Sequence, residues 1–362
     1  MHSNMTLDKS LARVRLGFLT AFAATLAACG GGSDSSSPSA PAPAPTPAPA
    51  PAPVDVISSS GNLQTTAAAS TYGAGSIGDN FYTALNTARA AAGAGVVNQN
   101  ADLDVAAAAH ALYETTNDGT EGLAHTEVST SPDFYALTFT ARDAKAGYAV
   151  GNVGTEVIGG AVTGSDFAYG LLATAYHGAA LLSDSMDVGF GLSSGQYGNL
   201  TVADLGAQPS LPYGQVAASG SFIAYPYSNQ TSVIGTFYVS DEIPRVSSAL
   251  LPNATAGAPV IVNIQNADYV NLASQGAVAP VVTSFTLKDG SGNIVPTVII
   301  ANSAIAGASG VTVNQDADLG TGFVELIATS PLTSGATYTA AFTATLKPNG
   351  TPLAKSWSFQ VQ

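Results

Sequence analysis

The sequence predicts an α+β chain in which a layered domain built from helices and a short sheet precedes an all-β domain. Three observations predict it. Apolar residues recur at helical spacing from about 79 to 113 and again from 164 to 182. Beyond Asp187 the pattern turns to short alternating or apolar runs, divided by Gly, Pro, Asn and Asp. Helices first and antiparallel strands after them make a layered α+β arrangement the expected solution.

The elements follow in order. Residues 1–28 read as an export signal: Lys9, Arg13 and Arg15 are basic, and Leu16 to Ala28 is an apolar run of thirteen residues. Such a run is too short for a spanning helix, which needs about 20 residues, and suits the core of a signal peptide. Leu26-Ala27-Ala28-Cys29 resembles a bacterial lipobox, so cleavage before Cys29 and lipidation of its sulfur are expected. Cys29 is the single cysteine, which leaves no disulfide for an exported protein and makes buried cores the source of stability. Gly30 follows the lipid position in place of the aspartate that retains lipoproteins at the inner membrane. The expected location is therefore the outer membrane, on its periplasmic face or at the cell surface. Residues 29–58 form a Pro/Ala-rich linker, with proline at every second position from Pro41 to Pro53. That segment favours polyproline II and spans on the order of 40 Å.

A first domain is expected over 75–208. Asp79 or Asn80 is read as the cap of a helix that Gly93 ends, and a second helix runs from Asp102 to about Thr115. A third covers 164–182, loosened near Gly178, and 187–192 with 197–204 read as a strand pair. Residues 209–254 are a connector or an extension of that domain. Residues 255–362, with seven strand-like runs counted from 235 onward, read as a β-sandwich.

Charge narrows the partners. Removal of the signal takes Lys9, Arg13, Arg15 and Asp8, leaving 7 basic against 23 acidic side chains, a net of −16. A surface this acidic repels phosphate backbones, so nucleic acid is not an expected partner.

The candidate chemistry lies in three histidines, His110, His125 and His177, which share one window with Glu114, Glu121, Glu127, Glu156 and Asp166. Imidazoles and carboxylates can bind zinc or another divalent cation, or move protons near neutral pH. Their spacing matches no compact metal motif, and there is no H-E-x-x-H. His110 is read equally well as a packed helix histidine.

A run of short motifs adds to this. Leu85-Asn86-Thr87-Ala88-Arg89 with Gly93 is followed by Ala107-Ala108-Ala109-His110-Ala111 and Gly122-Leu123-Ala124-His125. Then come Gly147-Tyr148, Gly154-Thr155-Glu156-Val157-Ile158, Thr174-Ala175-Tyr176-His177 and Asp187-Val188-Gly189-Phe190-Gly191. In this order they resemble the bacterial CAP superfamily, which comprises the cysteine-rich secretory, antigen 5 and pathogenesis-related 1 proteins. The resemblance covers about a third of the chain. It implies a CAP-type α-β-α sandwich, here followed by an Ig-like sandwich. It also implies a shallow cleft lined by His125, Glu156 and His177, with Asp166 as the candidate second acid, and the first three as ligands of any metal. The surround departs from the family pattern: Val157 replaces the asparagine, Gly178 the arginine and Leu171 the tryptophan. Leu332 to Tyr338 and Trp357 to Val361 resemble bacterial Ig-like repeats.

Two further patterns read as false leads. Gly191-Leu192-Ser193-Ser194-Gly195 fits G-x-S-x-G but is followed by turn and strand rather than helix. Asn314, Asp316 and Asp318 alternate oxygen donors but lack the glycine of a calcium loop, and read as a solvated loop. The expected function is ligand binding in the His/Glu cleft, the ligand being a hydrophobic small molecule, a glycan or a protein. No nucleophile pairs with a base, so the reading leans away from an enzyme. Its alternatives are a metal-assisted hydrolase and a non-catalytic adhesion module.

Overall fold

The computed structural model describes residues 57–117, 123–160, 163–195, 198–348 and 350–362. The signal sequence, Cys29, most of the linker and Glu121 lie outside the described residues.

Helix α1 (Ile77–Ala92) starts at Ser76, whose hydroxyl accepts from the Asp79 N–H. The cap is thus Ser76 and not Asp79 or Asn80; Asp79 instead supplies the first-turn carboxylate that favours a helix N-terminus. Gly93 ends the helix in the left-handed region, φ 86°. Strand β1 (Asn98–Gln99) leads into α2 (Ala101–Asn117), and α3 (Phe139–Ala146) follows with Thr138 as its cap. Strand β2 (Gly154–Gly160) precedes α4 (Gly164–Leu172) and α5 (Ala175–Leu181). The run read as one loosened helix is therefore two, and the break falls at Ala173–Thr174 rather than at Gly178. Thr174 is the reason: its backbone is extended at the head of α5, and its hydroxyl donates back to the Leu171 carbonyl. Strands β3 (Asp187–Gly195) and β4 (Gly198–Gly206) close the sheet, whose order is β1-β3-β4-β2.

This sheet is the middle of three layers. Phe81 and Leu85 of α1 and Phe167 and Leu172 of α4 pack with Val157, Val188, Phe190 and Leu205 on one face. Ala107 and Ala111 of α2 meet Ile158, Leu200 and Val202 on the other. Neighbours such as Val157 and Ile158 point to opposite faces because the strand period is two. Helix α2 lies unusually close, because a Cβ at Gly191 would stand only 2.2 Å from the Ala107 carbonyl carbon. The glycines of the Asp187–Gly191 run thus admit a helix backbone onto the sheet.

The rest of the chain builds two facing sheets. Strands β5 (Ile223–Tyr225) and β6 (Thr236–Tyr238) precede a 3₁₀ turn at Val239–Asp241. Then come β7 (Thr255–Gly257), β8 (Val260–Asn263), α6 (Ala267–Ser274), β9 (Ala279–Lys288) and β10 (Thr297–Asn302). The last five strands are β11 (Ala306–Gly307), β12 (Asn314–Asp316), β13 (Phe323–Ala328), β14 (Thr337–Lys347) and β15 (Thr351–Gln360). One sheet has the order β12-β10-β13-β8-β5, the other β11-β9-β14-β15, and β6 pairs with β7. Strand β5 belongs to the stretch expected to be a connector or extension, and it pairs with β8. Asn314 to Asp316 are a strand parallel to β10, not a solvated loop.

The five-stranded sheet is covered on both faces, which explains why VIVN and FVELIA are buried at every position, Asn263 and Glu325 included. Val260, Val262, Val324 and Leu326 face the sandwich core with Phe285, Phe342 and Trp357. Ile261, Phe323 and Ile327 face the other way, into the core that α1 and α4 share. Among the described residues no helix is long and apolar enough to cross a membrane.

Candidate functional site

Seven buried ionisable residues of the three-layer region gather on the α2 side of the sheet. Helix α2 turns His110 and Glu114 inward, the loop after it brings Glu127, α3 supplies Arg142 and Asp143, and the strands supply Glu156 and Asp204; all seven are buried. His110 Nδ1 lies 2.9 Å from Glu127 Oε1, and its Nε2 lies 3.0 Å from the Ala124 carbonyl. Glu127 Oε2 accepts the N–H groups of Tyr135 and Ala136, at 2.6 and 3.1 Å. His110 and Glu127 thus fasten the 123–138 loop to the helix. That is a structural role for His110, in line with its reading as a packed histidine.

Arg142 is the cation at the centre. Its Nη2 donates to Glu156 Oε2 and to the His125 carbonyl, and its Nη1 donates to the Ala136 carbonyl and lies 3.6 Å from Glu127. Glu156 gives its other oxygen, Oε1, to His125 Nδ1 at 2.9 Å. His125 alone reaches out: its side chain is 35 % exposed while that of Glu156 is fully buried. With Nδ1 occupied, Nε2 takes no partner among the described residues. The outcome is an imidazole whose tautomer and tilt are set from behind and whose other nitrogen is offered to solvent. The same loop exposes Leu123, Val128, Phe134 and Leu137. Antiparallel contacts from Thr126 to Thr138 and from Glu127 N to Leu137 O hold the two arms of the loop together.

Acids outnumber bases here, and protonation follows. Burial would push the Glu156 carboxyl up, but the His125 hydrogen bond, His110 and Arg142 outweigh it and hold the group below the usual range. Burial, and then the Glu156 charge, pushes Asp143 up to about 7. Burial pushes Glu114 up to about 7 as well. Asp204, opposite Glu156 on the neighbouring strand, is driven well above the carboxylate range by burial and then by Glu156 and Asp143. Groups raised in the folded state contribute stability that is fully present below the unfolded value of about 4 and is lost as pH rises through the folded values. Glu156 acts in the opposite sense and costs stability only in stronger acid. The expected outcome is a higher thermal unfolding midpoint at pH 5.5 than at pH 8.5, with Asp204→Asn reducing the difference. Calorimetry across that range checks it, and a midpoint that climbs toward pH 8.5 contradicts it.

His177 does not join this group. It stands on α5 with Nδ1 3.2 Å from Glu242 Oε2 and 3.2 Å from Thr174 Oγ1. Among the described residues no hydrogen bond or ion pair links it to His125 or Glu156. Its partner Glu242 is wholly buried and lies just after the 3₁₀ turn, in the stretch expected to be a connector or extension. Nothing in the local sequence marks Glu242 as a histidine partner, because the two are brought together only by the long excursion through β5 and β6. Asp166 is exposed in the first turn of α4 and bonds to neither histidine. Ser193 of the G-x-S-x-G pattern sits within β3 and pairs with the Thr115 hydroxyl at 2.7 Å, with no base bonded to it among the described residues.

A divalent metal finds no ready site in this arrangement. Both oxygens of Glu156 are engaged, one by a guanidinium whose positive charge opposes a second cation. Among the described residues no group of three or more His, Cys, Asp or Glu side chains could hold a metal ion.

No family model matches the chain, and no curated protein matches it. Among solved structures, an outer surface protein from Borrelia burgdorferi is similar over 35% of this chain and 89% of its own length, at 16% identity and a TM-score of 0.29. A likeness at that score carries no argument about fold or function.

Proposed function

We propose that this chain is a CAP-type lipoprotein of the cell envelope, held by a lipid on Cys29 at the outer membrane, in which His125 anchors a ligand at an apolar-rimmed face. The single observation behind the proposal is the His125–Glu156–Arg142 arrangement. A buried ion pair fixes a partly exposed imidazole in a loop that also exposes Leu123, Val128, Phe134 and Leu137. One polar atom of defined direction on a loop that exposes four large apolar side chains suits a ligand with an apolar body and a single hydrogen-bonding group. Among the three ligand classes suggested by sequence, a hydrophobic small molecule fits this best, ahead of a glycan or a protein. The three-layer order and the burial of Arg89, His110 and the run from Val188 to Gly191 support the CAP-type reading. His177 is left out of the binding face. A zinc or other divalent ion is also left out, because the Arg142 charge already balances Glu156, and the metal-assisted hydrolase loses its ligand set with it.

Native mass spectrometry of the full chain, extracted gently from its own membranes, tests the proposal. The expected spectrum contains an additional noncovalent mass that is stripped at modest activation and is lost in His125→Ala. A spectrum free of any such adduct, or equal occupancy in His125→Ala, counts against it.

A further inference from the structure

A cavity of about 460 Å³ opens on the opposite side of β2 from Glu156, where α5 and the start of β2 meet α6 and the loops of the five-stranded sheet. That volume falls within the range of small-molecule sites, roughly 300–1,000 Å³. It is independent of His125, which is not among its lining residues.

The wall has a definite chemistry. Tyr176, Tyr213, Tyr269 and Phe323 provide aromatic surface, Asp184 and Asp318 provide carboxyls, and no Lys, Arg or His lines it. Tyr269 is only 3% exposed, yet its hydroxyl has no hydrogen-bond partner among the described residues and lies within the field of Asp184. The Asp184 carboxyl, also buried, takes the Asn263 amide at 3.1 and 3.3 Å and keeps acceptor capacity to spare. Arg89 stands near Asp184 but directs its own donors to backbone carbonyls of two segments. Asp318 is exposed at the mouth, and its carboxylate is engaged by no partner among the described residues.

We propose that this cavity binds a small organic cation, an amine on an aromatic or apolar body, with Asp184 and Asp318 facing the nitrogen and the tyrosine rings enclosing the body. The exposed Asp318 carboxylate, on a wall that no Lys, Arg or His lines, disfavours anionic ligands. Aromatic faces beside them attract a desolvated ammonium through the ring quadrupole. The unsatisfied Tyr269 hydroxyl supplies one further polar contact inside the cavity. Burial holds the Asp184 carboxyl up at about 8 despite Arg89, and an arriving cation offsets that penalty.

The test is calorimetric titration of the full chain with four probes: tyramine, its neutral alcohol counterpart tyrosol, the anion 4-hydroxyphenylacetate, and N-acetylglucosamine. Tyramine is expected to bind about tenfold or more tighter than tyrosol, the order that an ion pair and cation–π contact supply together. Neither the anion nor the sugar should compete. Asp318→Asn changes an exposed side chain and should leave folding intact while weakening tyramine about fivefold; Tyr269→Phe, which keeps the ring, should also weaken it. His125→Ala should leave tyramine binding unchanged. Absence of tyramine binding at millimolar concentration overturns the proposal. So does equal affinity for amine and alcohol, preference for the sugar or the anion, or binding that Asp318→Asn and Tyr269→Phe both leave intact.

Discussion

Replacing Arg89 by methionine is expected to destabilise the chain by about 4 kcal/mol or more, the scale of breaking a buried ionic group. Arg89 is fully buried, and its donors reach five carbonyls. Nε meets Gly95 at 2.9 Å, Nη1 meets Leu181 and Ser183 at 2.7 and 2.8 Å, and Nη2 meets Ala94 and Ser185 at 3.4 and 3.3 Å. These carbonyls lie just after α1 and at the end of α5 and just beyond it, on the two segments that lead into the paired strands β1 and β3. Methionine fills the stem volume but leaves several buried acceptors without donors, each costing roughly 1–3 kcal/mol. It also removes the cation nearest Asp184. Lysine does not rescue, since its three donors leave from one atom and cannot span both segments. Urea unfolding of the variant checks this, and a loss below about 1 kcal/mol contradicts it.

The second large effect is expected at Arg142. Arg142→Met should cost about 3–5 kcal/mol, because Glu156 and Glu127 lose their facing cation while Asp143 and Asp204 stay beside them. The loss should depend on pH. Without the guanidinium Asp143 and Asp204 rise further and Glu156 loses part of what holds it down, so the folded chain binds more protons than the unfolded chain, and stability falls with rising pH. The deficit is therefore smaller at pH 5 than at pH 8. A deficit equal at both pH values would instead describe simple loss of packing. In the same variant the 123–138 loop should loosen, since Arg142 also holds the His125 and Ala136 carbonyls.

How much of this is legible in the sequence varies by element. Helices α1 and α2 and strands β3 and β4 are readable because their signals are local: Gly93 ends a helix by its own φ, and apolar spacing marks a buried face. Helix α3 gives no such signal, since half of FTARDAKA is polar and it buries Arg142 and Asp143 instead of an apolar stripe. Strand β2 does not announce itself either, because GTEVIGG carries three glycines and one charge in seven residues. Helix α6 is hidden among strand-like runs, where the Asn266 cap is the available clue. The His125–Glu156 pair comes from motif order, a likeness that extends to neither Arg142 nor the loop role of Glu127. His177 is grouped with them on the same likeness; its actual partner, Glu242, lies 65 residues further along, and no periodicity reaches that far.

The most direct check on the binding face is nitrogen-15 NMR of the histidine rings in the full chain, recorded with its co-purified ligand and again after exhaustive detergent exchange. The account predicts that His125 keeps a proton on Nδ1 throughout, that its Nε2 resonance moves when the ligand leaves, and that His110 and His177 stay still. A His125 ring protonated on Nε2 alone, or a ligand-dependent shift confined to His177, would contradict it.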